Sequence, residues 1–477
     1  MNRVDEYFQA LRRSDRFGHQ VAAYRFVEGH AGALAPIPDT LCPAVHTMLK
    51  NLGVAELYSH QVAALASILA GTHTVVATPT ASGKSLIYNV PVFEAVAREP
   101  EARALYIFPL KALAQDQCGT FARWSRMSAP LTPSAAIYDG DTNAYQRQKI
   151  RKKPPTVLMT NPEMVHLSIS AHHEQWHDFL RRLALVVIDE VHTYRGMLGA
   201  HMAQVIRRLR RICAHHGAHP TFVCASATVA DPGRIASQLT GLSVATIQKS
   251  GAPRGGRHIV LIDPEQSPAQ TAILMLKAAL ARELRTIVYT QSRKMAELIA
   301  VWVREQSGAW ADRISVYRAG LLPEARRVIE ARLKSGELLA VVSTSALELG
   351  IDIGDLDLCI LVGYPGSMTA TWQRSGRVGR QGQAAGLIMI AGEDALDHYF
   401  IGHPAAFFEG KAEKAVVNPF NRVALAAHLE CAAAELPLAA ADPWLVHPEV
   451  AAAVERLVMQ GTLRRSAGGD TVHAFKS

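Results

Sequence analysis

The sequence predicts an α/β chain of two parallel-sheet lobes in tandem, followed by a mostly helical C-terminal region in which a winged-helix element is one option. Three observations carry this. Short β-branched runs bounded by turn signals recur along the chain, stretches of helical periodicity separate them, and one glycine-rich segment divides the series in two.

In chain order, residues 1–54 read as a helical extension and residues 55–250 as the first lobe. Its strands are expected at THTVVAT (72–78), ALYIFP (104–109), SAAIYDG (134–140), TVLMTNP (156–162), LALVVIDE (183–190) and TFVCASAT (221–228). Helical stretches such as Ser85 to Arg98 and His201 to His215 lie between them, and that alternation implies a parallel sheet covered on both faces. KSGAPRGGRH (249–258) is the linker candidate. The second lobe, 257–393, repeats the pattern with HIVLID, RTIVYT, RISVYRAG, LLAVVST, LDLCILVG and GLIMIAG. From 394 to 477 the character turns helical, ending in a helix and a hairpin that reverses at Gly468-Gly469.

Bulk properties agree with this. A chain of 477 residues, 49% hydrophobic and 19% charged, can build at least two cores and is not a disordered composition. The net charge of +8 fits a polyanionic partner, although a solvated surface produces the same excess. Six cysteines are scattered without CxxC pairs, which argues against a disulfide framework or a cysteine zinc knuckle. The charged N-terminus lacks the apolar core of a signal peptide and no run is long enough to span a membrane, so a cytoplasmic protein is expected.

Three motifs carry chemistry. Thr78-Pro79-Thr80-Ala81-Ser82-Gly83-Lys84-Ser85 leaves an apolar strand and enters a helix, where backbone N–H groups and the positive helix end can hold phosphate. Lys84 adds a charge there, and Ser85 can ligate Mg2+. Its first position is Thr78 where the general phosphate-loop pattern has glycine, so alone it is compatible with an ordinary loop. LVVIDEVH (185–192) ends a strand in adjacent acids: Asp189 for the hydrated Mg2+ and Glu190 for the attacking water. In Gln373-Arg374-Ser375-Gly376-Arg377-Val378-Gly379-Arg380, the arginines Arg377 and Arg380 are candidate fingers for a γ-phosphate. Their place in the second lobe would couple hydrolysis to lobe closure.

The ordered series TPTASGKS, FPLKAL, TNPE, DEVH, SAT, STSALELGID and QRSGRVGR resembles the motif set of superfamily 2 DEAD/DEAH-type helicases across residues 55–392. The resemblance implies two RecA-like lobes, ATP as the nucleotide, and roles by position. Gln61 in LYSHQ matches the adenine-reading glutamine, with Tyr58 a neighbour of the base, and Thr80, Ala81, Ser82, Gly83, Lys84 and Ser85 match the phosphate loop. Gly350 and Asp352 match the ribose-side motif, and Gln373 the γ-phosphate sensor. Ser226 and Thr228 match the motif that links hydrolysis to lobe movement. Pro109, Lys111, Thr160 and Asn161 would face the nucleic-acid backbone from the first lobe, and Ser292, Arg293, Arg318 and Thr344 from the second.

A narrower resemblance lies in DEVHTYRGMLGAHMAQVIRRLRRI (189–212), DALDHYFIGHPAAFF (394–408) and NPFNRVALAAHLECAAAELPL (418–438). These are similar to the Hrq-type and mitomycin-repair-factor-A-type helicases, which implies ATP-dependent 3′-to-5′ translocation on single-stranded or tailed duplex DNA in DNA repair. That family continues into a four-cysteine zinc domain, whereas this sequence has no cysteine after Cys431, which puts unwinding strength in question. A DEAD-box-type RNA helicase is the alternative within the same fold. A small-molecule kinase would need no second lobe bearing QRSGRVGR, and a non-catalytic decayed ATPase would not be expected to retain Lys84, Glu190 and Arg380 together.

Two further clusters carry weaker expectations. Cys213, His215, His216 and His219 have chelating spacing but no evident partner segment, while His172, His173 and His177 read as surface. Arg207, Arg208, Arg210 and Arg211 read as a solvated helix face, with DNA contact as the second option.

Overall fold

The computed structural model describes residues 2–348, 353–379, 382–439 and 442–474. The chain divides into two compact units, one of Met1–Ala33, Pro79–Ser82 and Gly251–Glu413, the other of Leu34–Thr78, Gly83–Ser250 and Lys414–Ser477.

In the unit that carries DEVH, seven parallel strands lie in the order Ala245–Ile247, Thr74–Ala77, Thr221–Ser226, Leu183–Ile188, Arg103–Ile107, Val157–Thr160 and Ala135–Ile137. Because side chains alternate across a sheet, Val75, Leu105 and Val186 pack one face while Val76, Tyr106 and Val187 pack the other. Helices Ser59–Leu69, Lys84–Arg98 and Lys111–Met127 contribute to the second of these cores, and helix Gly196–His215 to the first. The strand before the phosphate loop, the strand before SAT and the strand before DEVH are neighbours. Being parallel, they bring all three motifs to one edge of the sheet.

The other unit holds a seven-stranded sheet in the order Val21–Val27, Arg257–Ile262, Ala385–Ile390, Leu358–Val362, Thr286–Tyr289, Ala340–Ser343 and Ile314–Tyr317. Its first strand corrects the reading of residues 1–54 as a helical extension. Only Arg3–Arg13 and Pro43–Asn51 are helices of ordinary length there, whereas Val21–Val27 pairs antiparallel with Arg257–Ile262. Val21, Tyr24, Phe26 and Val27 favour a strand once an edge is offered, and that edge lies more than two hundred residues away. Helix Arg3–Arg13 buries Tyr7 and Phe8 in the same core, Tyr7 Oη donating to the Met275 carbonyl at 3.1 Å. Phe8 stacks on His258 with ring centroids 4.7 Å apart. Gly386 makes room for Phe8, since a Cβ there would stand 2.2 Å from its ring.

The expected 394–477 region is also divided. Helices Ala395–Gly402 and Pro404–Phe408 belong with the second sheet, while Lys414–Ser477 belongs with the first. There, helices Arg422–Glu435 and Pro448–Met459 pack with a small sheet ordered Leu438–Ala439, Thr471–Ala474, Leu463–Arg465, which includes the expected hairpin at Gly468-Gly469.

The reading of the arginine run as a solvated face is overturned at this point. Helix Gly196–His215 is flanked by Pro232–Thr240 and Arg422–Glu435, and the arginines reach their polar ends. Arg207 Nη1 donates to the Gln238 carbonyl at 3.1 Å, and Arg210 to that of Thr240 at 2.9 Å. Arg208, almost wholly buried, pairs with Glu435, its Nε donating to Oε2 at 3.0 Å, and its Nη1 lies 2.9 Å from His428 Nδ1. Arg211 pairs with Asp442. Burial with His166, His201 and Arg208 as neighbours pushes the His428 imidazole down to about 3, so it stays neutral beside the guanidinium. Glu435→Ala leaves Arg208 charged and unpaired, and should destabilise this unit by about 3–5 kcal/mol in urea unfolding. The double change Arg208→Met with Glu435→Leu should recover most of that loss. Equal losses for the single and double variants would contradict the uncompensated-charge account.

Candidate nucleotide and nucleic-acid sites

Strand Thr74–Ala77 is wholly buried, and helix Lys84–Arg98 starts after Gly83. Between them Ala81 has φ +62° and Gly83 φ +77°, left-handed positions of the kind that turn successive backbone N–H groups toward a common centre. A side chain on Gly83 would be strained by its φ and would set a Cβ 2.4 Å from Gln61 Nε2. Gln61 is buried and spans two backbones: its Nε2 donates to the Gly83 carbonyl at 3.1 Å, and its Oε1 accepts from Tyr58 N–H at 2.9 Å. The expected base-reading glutamine therefore also ties the start of helix Ser59–Leu69 to the phosphate loop. Tyr58 stacks on His60 at 5.9 Å. Lys84 Nζ donates to the Thr78 carbonyl at 2.8 Å, which holds the ammonium at the loop, and Ser85 follows it in the first turn of the helix.

Asp189 and Glu190 follow strand Leu183–Ile188, two places along the sheet from Thr74–Ala77, and both are buried. Glu190 has φ +50°, a strained conformation for a residue with a Cβ, and its N–H donates to Asp189 Oδ1 at 2.8 Å. Burial, and then the Glu190 charge, push the Asp189 carboxyl from 3.8 up to about 7, against the opposing effects of that N–H and of Lys84. Glu190 Oε2 is buried and makes no hydrogen bond among the described residues, the nearest base being His192 Nδ1 at 3.5 Å.

His192 was not singled out in the sequence beyond its place in DEVH, yet it joins two motifs. Its Nδ1 lies 3.2 Å from Ser226 Oγ and accepts from Ala227 N–H at 3.4 Å, so the SAT strand and the acid pair are linked through one ring. Ser226 is buried and Thr228 exposed. Tyr88 and Tyr194, also unremarked in the sequence, wall the acids: both phenols are pushed up by burial and then by Asp189 and Glu190.

Among the first lobe's nucleic-acid candidates, Lys111 is partly exposed and pairs with Asp141 at 2.6 Å beside Gly140, and Pro109 is half-buried. Asn161 Oδ1 accepts from Met164 N–H at 2.9 Å. Thr160 is buried, its hydroxyl donating to the Tyr138 carbonyl at 2.6 Å, which makes it a support of the strand end rather than a displayed hydroxyl.

In the second sheet's unit, Ser292 caps helix Arg293–Gln306, accepting from Met295 N–H at 3.0 Å, and Arg293 is exposed. Arg318 pairs with Glu297 at 2.8 Å, and both arginines approach Gly320. Thr344 is half-buried. Gln373 lies in helix Met368–Ser375 and is buried. Arg377 Nη2 donates to the Glu348 carbonyl at 2.6 Å, and Arg374 pairs with the Glu348 carboxylate at 2.9 Å, so QRSGRVGR is fastened to the STSALELGID segment. Gly350, Asp352 and Arg380 lie outside the described residues.

A family model described as DEAD/DEAH box helicase matches residues 58–235, and one described as helicase conserved C-terminal domain matches 270–382. The chain is 40% identical over 473 residues to the ATP-dependent helicase YprA of Bacillus subtilis (strain 168), across 96% of this chain and 62% of that one. It is 33% identical to the ATP-dependent helicase HRQ1 of Saccharomyces cerevisiae, across 91% of this chain and 42% of that one. A solved structure of the DUF1998 helicase MrfA bound to DNA and AMPPNP matches with a TM-score of 0.94 and 38% identity, over 99% of this chain and 66% of that one. The chain thus spans less than two thirds of each of these relatives.

The acid pair yields a pH-dependent stability. Folded, Asp189 keeps its proton up to about pH 7; unfolded, it loses it near the ordinary value of 3.8. The folded state binds more protons in that window, so stability falls as pH rises through it. In metal- and nucleotide-free protein, Asp189→Asn should raise the melting temperature at about pH 8, with the gain shrinking toward about pH 5. A gain of the same size at both pH values would contradict the buried-charge origin.

Proposed function

Because the chain belongs to the superfamily 2 DEAD/DEAH box helicases, in the branch of the Hrq- and MrfA-type enzymes, we propose that it is a DNA-stimulated ATPase. Hydrolysis of ATP would drive 3′-to-5′ translocation on single-stranded DNA, with unwinding of tailed duplexes in DNA repair. The observation that carries this reading is the buried Asp189–Glu190 pair, held in a strained turn on the strand two places from the one that leads into Lys84. Such an arrangement costs stability and is explained by a reaction that uses both acids.

The residues fit Mg·ATP. Ser85 and Asp189 offer the hard oxygen donors that Mg2+ takes, and Glu190 Oε2, buried and without a hydrogen bond among the described residues, has the place and chemistry of a group that accepts a proton from water. Bound Mg2+ would neutralise the phosphates, and its charge would lower the Asp189 carboxyl again. The loop N–H groups and Lys84 would hold the phosphates, Glu190 would orient and deprotonate the attacking water, and His192 would pass the state of the site to Ser226. Gln61, with Tyr58 beside it, would read the adenine, and Asp352 with Gly350 would take the ribose side. Gln373, Arg377 and Arg380 are proposed to stabilise charge on the γ-phosphate, where a planar guanidinium matches the equatorial oxygens.

For the strand, Pro109, Lys111 and Asn161 in one lobe and Ser292, Arg293, Arg318 and Thr344 in the other offer small hydroxyls, amides and cations suited to a backbone without base reading. DNA rather than RNA is favoured because the similar solved structure of MrfA holds DNA. No helix among the described residues is long and apolar enough to cross a membrane, and a cytoplasmic location is proposed with the function.

Glu190→Gln keeps shape while losing the base, and should abolish turnover yet trap nucleotide and retain tight binding to single-stranded DNA. Lys84→Ala should lose nucleotide binding as well. Near-normal hydrolysis by Glu190→Gln would overturn the assignment. Arg377→Ala or Arg380→Ala should lower kcat by about 10³-fold or more with a much smaller change in nucleotide affinity. Binding to single-stranded DNA should weaken log-linearly with salt and vary little with base sequence, and Lys111→Ala and Arg318→Ala should weaken it evenly across sequences. ATPase stimulated by RNA but not DNA, or equal activity on 3′- and 5′-tailed duplexes, would favour an RNA helicase instead.

A further inference from the structure

The histidines that looked unpartnered in the sequence meet in space. The short helical turn His173–Trp176 lies against the C-terminal end of helix Gly196–His215, so His173, Glu174 and His177 face His215 and His216. His173 is buried, contrary to its reading as surface, and its ring lies 5.7 Å from that of His215 and 5.2 Å from that of His216. The missing partner segment is thus supplied by residues about forty positions upstream, while Cys213 is buried in the hydrophobic core.

We propose that His173, Glu174 and His215 form a binding site for a divalent transition metal, Zn2+ by its ligand chemistry, which fastens the His173–Trp176 turn to the end of helix Gly196–His215.

The donor atoms of these three residues all lie within 4.8 Å of one another. A tetrahedral site with bonds of about 2.0–2.1 Å sets its donors about 3.3 Å apart. His173 Nδ1 and Glu174 Oε1 are 3.7 Å apart, and His216 Nε2, 3.0 Å from His173 Nδ1, is the contact that an ion on that nitrogen replaces. Glu174 and His215 are exposed, so rotamer changes of about an ångström can close the set around the fixed His173.

The second shell is that of a metal-ligating histidine. His173 Nε2 lies 3.1 Å from the Glu435 carbonyl, which can only accept, so Nε2 carries the proton and Nδ1 of the neutral ring presents its lone pair to the cluster. His216 Nδ1 lies 2.9 Å from His177 Nδ1. Without metal, one proton between His216 Nε2 and His173 Nδ1 satisfies that contact. In that state His177 donates from Nδ1 to His216 Nδ1; with metal on His173, His216 instead donates from Nδ1 to His177 Nδ1, and the exposed His177 carries its proton on Nε2. No proton need leave the cluster. Imidazole with one carboxylate selects Zn2+ and its first-row neighbours over Mg2+ or Ca2+.

The test uses the full chain, untagged, stripped with a chelator and titrated with Zn2+ against a chromogenic competitor. One Zn2+ per chain should bind, and the double variant Glu174→Ala with His215→Ala, both exposed positions, should weaken binding by about 100-fold or more. His219→Ala should keep the full affinity. Co2+ in place of Zn2+ should give the visible absorption of a four- or five-coordinate nitrogen and oxygen site, absent from the double variant. Equal uptake by the wild type and the double variant, or loss of uptake in His219→Ala, would overturn the site and leave the cluster as a hydrogen-bonded imidazole relay.

Discussion

Two carboxylates buried side by side at the end of a β-strand set the terms for the rest of the first lobe. Asp189 and Glu190 repel one another where little water screens them, and the backbone at Glu190 is strained as well. Nothing in packing rewards this. What makes it tolerable is a rigid frame: strands on both sides, Tyr88 and Tyr194 as walls, His192 linked to the next strand, and the Lys84 ammonium opposing the negative charge. The seven-stranded parallel sheet supplies that frame, because parallel order sends the ends of three adjacent strands to one edge.

Several of the candidate site residues already have partners. Gln61 spans the Gly83 carbonyl and the Tyr58 N–H, Arg377 reaches the Glu348 carbonyl, and Arg318 pairs with Glu297. Each contact fixes a side chain whose long rotatable stem would otherwise have to be ordered when a ligand arrives. Pre-set geometry lowers the entropy lost on binding. It also means that a ligand engaging such a group must offer a hydrogen bond at least as good as the one it displaces.

Most of the fold and of the candidate nucleotide site is legible in the sequence because both are local. Alternating strand and helix patterns need only a window of about ten residues, and the chemistry of TPTASGKS or DEVH sits in consecutive positions. What escaped was set by distant partners. Val21–Val27 becomes a strand only because Arg257–Ile262 offers an edge, and the arginines of helix Gly196–His215 are buried only because Glu435 and Asp442 meet them. His173 reads as surface until the end of that helix is placed beside it. Thr160 shows the converse: its motif position suggests a displayed hydroxyl, whereas the Tyr138 carbonyl next to it already accepts that proton.

The first lobe is completed by residues that follow the whole second sheet in the chain, and this has a consequence for biosynthesis. Arg208 emerges from the ribosome 227 positions before Glu435. At about 5–20 residues per second, the guanidinium and the apolar surface beside it wait roughly 10–45 s for their cover. During that interval Arg208 lacks its carboxylate partner and the face of helix Gly196–His215 that packs on Arg422–Glu435 lacks its cover. Synthesis of helix Arg422–Glu435 supplies that cover, so the first lobe is completed only after the strands of the second sheet have been made.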